Sequence, residues 1–205
     1  GALVIGRQVL AARTHVLGPD HFETAAALSN LAQLLVADAE TLPPDSRESK
    51  YDEALLLYEK SLSIREQLNS SDSSKIIKEH PDVAKTLCSL ARLLRTRNRL
   101  DDAEKYYRRA LEIRECALGP RHPSVAESSN NLAGLLVERG RHVEATSYYT
   151  HAVDIWEKCL GPDHKNLATT LNNLALVLWS QERFDEAVPR QEEALNISRR
   201  RNSIE

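Results

Sequence analysis

The sequence predicts an all-α solenoid of stacked helix pairs, four pairs preceded by one leading helix. Three observations predict it. The string LGPDH at 17–21 returns as LGPRH at 118–122 and LGPDH at 160–164, and His80 takes the same slot in KEHPDVA, so that His80, His122 and His164 stand 42 residues apart. A second marker, the Ala of YDEA, LDDA, HVEA and FDEA at Ala54, Ala103, Ala145 and Ala187, repeats with spacings of 49, 42 and 42. Apolar residues within each copy follow helical spacing, as in Ala84, Leu87, Leu90, Ala91 and Leu94. One such unit cannot bury its apolar face alone, and stacking units completes the core.

Taken in order, residues 2–16 read as a leading helix that ends at Leu17-Gly18-Pro19. Repeat one covers 20–68. Its longer spacing requires two inserts, assigned to 38–50 (DAETLPPDSRESK) and 69–75 (NSSDSSK), whose Pro, Ser and Asp content is that of loops. Repeats two, three and four cover 80–117, 122–159 and 164–202. In each, a first helix follows the His, a short polar turn such as Arg97-Asn98-Arg99 breaks it, and a second stripe such as Ala103, Tyr107, Ala110 and Leu111 follows. Pro123 suits the first turn of a helix, and the acidic residues before Ala103 and Ala187 suit a helix N-terminus. The marker alanines sit where paired helices approach closely.

Composition narrows the function. With 27 Lys+Arg against 30 Asp+Glu, the net charge of −3 is not that of a nucleic-acid binder. Hydrophobic residues at 41% supply a core, while 5% aromatics and 7 Gly argue against a sandwich rich in glycine turns. No apolar run reaches membrane-spanning length, so no membrane insertion is expected. The absence of Met and the Gly1-Ala2 start suggest a piece of a longer polypeptide. Three cysteines (Cys88, Cys116, Cys159) without CxxC spacing read as reduced, buried thiols. The histidines recur once per repeat and so are not clustered as a metal would require; bonding to local backbone is the expected role. No phosphate-loop, HExxH or GxSxG signature occurs, so no catalytic residues, cofactor or metal are expected.

The 42-residue unit, with SNNLAGLL at 129–136, LNNLALVL at 171–178, YYRRALEIRECALGPRHP at 106–123 and IWEKCLGPDH at 155–164, resembles the tetratricopeptide repeat of the kinesin light chain type. Nephrocystin-type proteins carry similar repeats. The resemblance implies a right-handed superhelix whose first helices line a concave peptide-binding groove. It also implies a cargo or adaptor role in the cytoplasm, with cytoskeletal or ciliary association. The alternative it leaves open is a scaffold or regulatory array of a larger signalling protein, a ciliary scaffold or an NTPase-linked sensor, whose groove contacts other domains of the same chain.

Helical geometry then selects groove-facing positions opposite each core stripe. They are Ala26, Ser29, Gln33 and Val36; Lys85, Cys88, Arg92 and Arg95; Glu127, Asn130, Gly134 and Val137; and Thr169, Asn172, Leu176 and Trp179. The expected peptide site is drawn from these: Lys85, Arg92 and Arg95 as a positive wall for an acidic linear segment, Asn130 and Asn172 as amides that bond peptide backbone, Trp179 as an apolar anchor, and Ser29, Gln33, Glu127 and Thr169 along the same stripe. Each has a plainer reading. The cations form a solvated face, the Asn row bridges adjacent helices, and Trp179 plugs the stack. Trp156, on a second helix, belongs to the core or the convex side. A chaperone-type carboxylate clamp finds no match, since Ser29/Gln33, Cys88/Arg92, Asn130/Gly134 and Asn172/Leu176 lack its Lys and Asn pattern.

Overall fold

The structure is a computed structural model that describes residues 1–70 and 81–202. Among the described residues it holds nine α-helices, α1 Ala2–Leu17, α2 Phe22–Glu40, α3 Glu48–Ser70, α4 Pro81–Thr96, α5 Leu100–Leu118, α6 Pro123–Glu138, α7 His142–Leu160, α8 Lys165–Trp179 and α9 Phe184–Asn202, with a 3-10 turn at Pro44–Ser46 and no strand. This is the helix-pair repeat class read from the sequence. The helix limits depart from the expected ones by one or two residues, the ordinary uncertainty of helix ends.

Local chemistry starts each pair. His21, His122 and His164 are N-caps in extended conformation, and the Nδ1 of each accepts the N–H two residues on, from Glu23 (3.1 Å), Ser124 (3.1 Å) and Asn166 (3.2 Å). The repeat-entry histidines therefore satisfy orphan helix N–H groups, as expected of them. Gly18, Gly119 and Gly161 before them all have positive φ, which glycine adopts without strain. His80, the entry to repeat two, lies outside the described residues.

The first insert is only partly loop. Of 38–50, only 41–47 lie outside the two long helices, because α2 runs on to Glu40 and α3 begins at Glu48. Ala39 is buried, which extends the apolar stripe of α2 by a turn. Lys50 pairs with Asp38 across the turn, and Arg47 Nε donates to the Leu42 carbonyl at 2.8 Å. Of the second insert, 69–75, Asn69 and Ser70 end α3 and the rest lies outside the described residues.

The chain divides into two compact units, Gly1–Tyr106 and Tyr107–Glu205. In the first, α2 packs on α1 and α3, and α3 on α4; in the second, α7 packs on α6 and α8, and α8 on α9. The marker alanines Ala54, Ala103, Ala145 and Ala187 are all buried, as are Leu87, Leu90 and Leu94 and, in the second unit, Leu132, Leu135, Leu171 and Leu174. Among the described residues no helix is long and apolar enough to cross a membrane, and no group of three or more His, Cys, Asp or Glu side chains is placed to hold a metal ion. The cysteines depart from expectation: Cys116 and Cys159 are exposed and Cys88 is half-buried, because the first two fall near the ends of second helices rather than on the core stripe.

Candidate functional site

In the first unit the groove positions separate into two kinds. Lys85 and Arg92 stand exposed, two turns apart on α4, and neither makes an ion pair among the described residues. Arg95 is only half-buried and already engaged, so it does not belong to the free wall. Ser29 is 6% exposed, and its hydroxyl meets Ser61 Oγ at 2.7 Å and Thr86 Oγ1 at 3.2 Å. It is a buried link between α2, α3 and α4, not a groove residue. Gln33 Nε2 donates to Ser89 Oγ at 3.4 Å, again from α2 to α4. Between α2, α3 and α4 lies a cavity of about 230 Å³ whose lining includes Asn30, Gln33 and Lys85 but also the carboxylates Glu23 and Asp82 beside Arg65. Beneath, the Tyr58 hydroxyl is fully buried, and burial pushes its pKa up to about 12 against the pull of Ser89 and Arg92, so it stays neutral.

In the second unit the amide row is partly spent. Asn130 Oδ1 accepts from Thr170 Oγ1 at 3.2 Å, which ties α6 to α8; the helix-bridging reading holds for this residue. Glu127 is exposed but its carboxylate meets Arg114 Nη1 at 3.1 Å, so it serves the scaffold. Asn172 Oδ1 accepts from Gln191 Nε2 at 3.1 Å, which ties α8 to α9. Thr169 is exposed and bonds back to the Lys165 carbonyl. Trp179 is 58% exposed, with Phe184 edge-on at 4.8 Å between centroids, so it does not plug a core.

Sequence reasoning missed a clasp between successive repeats. Arg13, Arg65 and Arg114 each stand eleven residues after a register alanine, Ala2, Ala54 and Ala103. Each reaches the first turn of the following first helix. Arg13 meets Glu23 at 2.9 Å, Arg65 approaches Asp82 at 3.8 Å and lies 4.5 Å over the Phe22 ring, and Arg114 donates to the Ser124 carbonyl at 2.7 Å and Ser128 Oγ at 2.9 Å. Arg65 and Arg114 are buried. Burial draws the Arg65 pKa down, while Asp82 and Glu23 hold it up. In repeat three the slot holds Trp156, which is buried and stacks on the entry His164 (6.1 Å, 19°). The fixed offset from the marker alanine was the available signal.

These features define an all-α array of stacked helix pairs among the described residues. The Tetratricopeptide repeat family model matches residues 46–116, 82–153 and 124–200, and the chain belongs to that family. A comparison with curated proteins gave no match. Among solved structures, the chain is similar to BtubC (BKLC) from P. vanneervenii, with 23% identity over 95% of this chain and 70% of that one at a TM-score of 0.73. It is also similar to a Podosopora anserina putative kinesin light chain with nearly identical TPR-like repeats (22%, 96% and 85%, TM-score 0.71) and to the apo form of RapI (16%, 98% and 65%, TM-score 0.78). At these identities the likeness is one of fold.

Proposed function

We propose that the chain is a non-catalytic protein–protein interaction module that holds an extended, acidic peptide along its first helices, in an adaptor role of the kinesin light chain kind. The observation that supports this reading is the pair Lys85 and Arg92. Most arginines placed in the described residues are committed to a carboxylate or a carbonyl, but these two cations are exposed and free of ion pairs, on a net acidic chain. Ser89 lies between them along α4 and accepts from Gln33 of α2, and Lys85 lines the α2–α4 cavity with Gln33 and Asn30. A peptide carboxylate would gain two charge-assisted contacts there, and the amides suit peptide backbone.

The test is fluorescence polarisation with labelled acidic, basic and apolar twelve-residue peptides. Acidic peptides should bind best, and affinity should fall with added salt, since exposed charges are screened beyond about 8 Å at physiological ionic strength. The double variant Lys85→Glu, Arg92→Glu should lose about tenfold or more in affinity, because it replaces attraction by repulsion. Preference for basic or apolar peptides, or an unchanged double variant, would overturn the reading.

A further inference from the structure

The two buried clasp arginines, Arg65 and Arg114, take the same place in successive repeats but differ in what they hold. Their side chains are only 5% and 7% exposed. Arg114 Nη1 faces the Ser124 carbonyl, Ser128 Oγ and, at 3.1 Å, a carboxylate oxygen of Glu127. Shifted back by one repeat of 42 residues, Ser124, Glu127 and Ser128 become Asp82, Lys85 and Thr86. Where Arg114 has an acid, Arg65 has a cation.

The hydroxyl beside Arg65 is turned elsewhere. Thr86 Oγ1 donates to the Asp82 carbonyl and meets Ser29 Oγ, both at 3.2 Å. Among the described residues, Arg65 Nη1 is buried with no hydrogen-bond partner. Its approach to Asp82, at 3.8 Å, is longer than a hydrogen bond. The guanidinium is held in place on its other sides, over the Phe22 ring at 4.5 Å and through Nε to Ser61 Oγ at 3.4 Å. A buried donor on a charged group without an acceptor is costly, so an acceptor brought to Nη1 gains more than one brought to an exposed cation.

Such an acceptor has a way in. Arg65 and Lys85 line the same cavity of about 230 Å³, with Asn30 and Gln33. The Arg114 site shows that a carboxylate can reach so buried an arginine from the solvent side, because the Glu127 side chain is 57% exposed and still bonds it. Of the two carboxylates lining the cavity, Glu23 is paired with Arg13 at 2.9 Å. Arg65 and Lys85 then stand against Asp82 alone, and one incoming carboxylate balances the excess positive charge.

We infer that this cavity receives one Asp or Glu side chain of the bound peptide, its carboxylate lying between Arg65 Nη1 and the Lys85 ammonium as that of Glu127 lies on Arg114, an assignment that rests on the acidic-peptide reading. Arg65 then selects an acid at one position of the peptide. Lys85 and Arg92, both exposed, attract acids without fixing which one is held.

The test replaces each acid of the best-bound twelve-residue peptide in turn by its amide and measures fluorescence polarisation with the full chain. One position should cost about tenfold in affinity and the others much less. Arg65→Gln is the direct variant, but it also removes the contact with Phe22, so the decisive pair leaves Arg65 in place. Asp82→Ser, Lys85→Glu copies onto α4 the Ser124 and Glu127 of α6, and Asp82→Ser, Lys85→Gln differs from it only in that charge. The glutamate variant gives Arg65 a partner within the chain. It should melt a few degrees above the glutamine variant and lose the dependence on that peptide position, which the glutamine variant should keep. Circular dichroism of both checks that the helices are kept. Acidic peptides that bind with no position standing out would overturn this inference and leave the acidic-peptide reading in place. So would a position whose effect survives in the glutamate variant, or a glutamate variant that melts no higher than the glutamine one. Failure of every acidic peptide to bind would overturn both.

Discussion

The arginine clasp shows how a charged side chain can sit inside this fold. Arg114 is buried, yet its Nη1 faces a backbone carbonyl, a hydroxyl and a carboxylate as acceptors for its two N–H groups, so its desolvation is offset by charge-assisted bonds. Arg114→Ala would leave the Ser124 carbonyl and Ser128 hydroxyl without that donor, and a loss of about 2–3 kcal/mol is expected from chemical denaturation. All three acceptors face the one nitrogen Nη1, so Arg114→Lys, whose ammonium carries three N–H groups, should recover part of the loss. A neutral Arg114→Ala would show that the clasp is incidental. A second residue-level expectation concerns Glu144, held below its ordinary pKa of 4.5 chiefly by the hydrogen bond from Arg108 (2.5 Å), with burial opposing it and a lesser hydrogen bond from Arg141 helping. A depressed carboxylate contributes stability that is present above its unfolded pKa and lost as pH falls through the folded one. With its side chain 35% exposed, solvent screening limits the contribution to about 1 kcal/mol or less. Glu144→Gln should therefore lower stability at pH 7 and converge with the parent as pH falls through the depressed folded-state pKa of Glu144. A constant gap between the two curves would count against the assignment. The same scale shows what the sequence withheld. Exposure of Lys85 and Arg92 followed from helical spacing, because those positions fall opposite the core stripe of α4. Ser29 and Asn130 share the stripe, but they sit eight residues after the entry His, where the next first helix comes within hydrogen-bond reach. Periodicity in one helix cannot report how close its neighbour lies.

At the scale of elements, the repeat signal was legible because it is written twice, in the entry His with its Gly-Pro turn and in the marker alanine. The structure explains both: the His caps the first helix, and the alanine lets the second helix approach the first. Ala145 is fully buried in α7, which packs on both α6 and α8. Ala145→Leu is expected to cost about 1–3 kcal/mol through overpacking, visible as a lowered thermal midpoint. An unchanged midpoint would mean that the helix register is misassigned. The inserts were less legible. Loop composition at 38–50 concealed Ala39, a single buried residue that carries α2 one turn further, and an ion pair from Asp38 to Lys50 that closes the return. Composition reports the average environment of a segment, while the end of a helix turns on one apolar contact and one cap.

For the molecule as a whole, an array of this kind draws its stability from each repeat and its neighbours, so protection from solvent should vary along the chain instead of being uniform. The helix α1 illustrates the low end. It is 16 residues long and contains no buried residue. It meets α2 chiefly through Leu10, Arg13 and Gly6, where an added Cβ would lie 3.0 Å from Leu34 Cδ1 and 3.1 Å from Leu31 Cδ1. Its Val4, Ile5 and Val16 are largely exposed and gain little from packing. By contrast α6 buries Val125, Ala126, Leu132, Ala133, Leu135 and Leu136 completely and contacts α7 and α8. Native-state hydrogen exchange should accordingly find the amides of α1 exchanging through local opening at a small fraction of the global free energy, with the α6 amides among the most protected. Removing residues 1–17 should leave the helical circular dichroism of the remaining helices in place, with a modest fall in midpoint from the uncovering of Leu31 and Leu34. Gly6→Ala, which crowds that same contact, should shift exchange in α1 and α2 and leave α6 to α9 unaffected. If the α1 amides were as protected as those of α6, the helix would be part of the cooperative core, and stability would not be graded along the array.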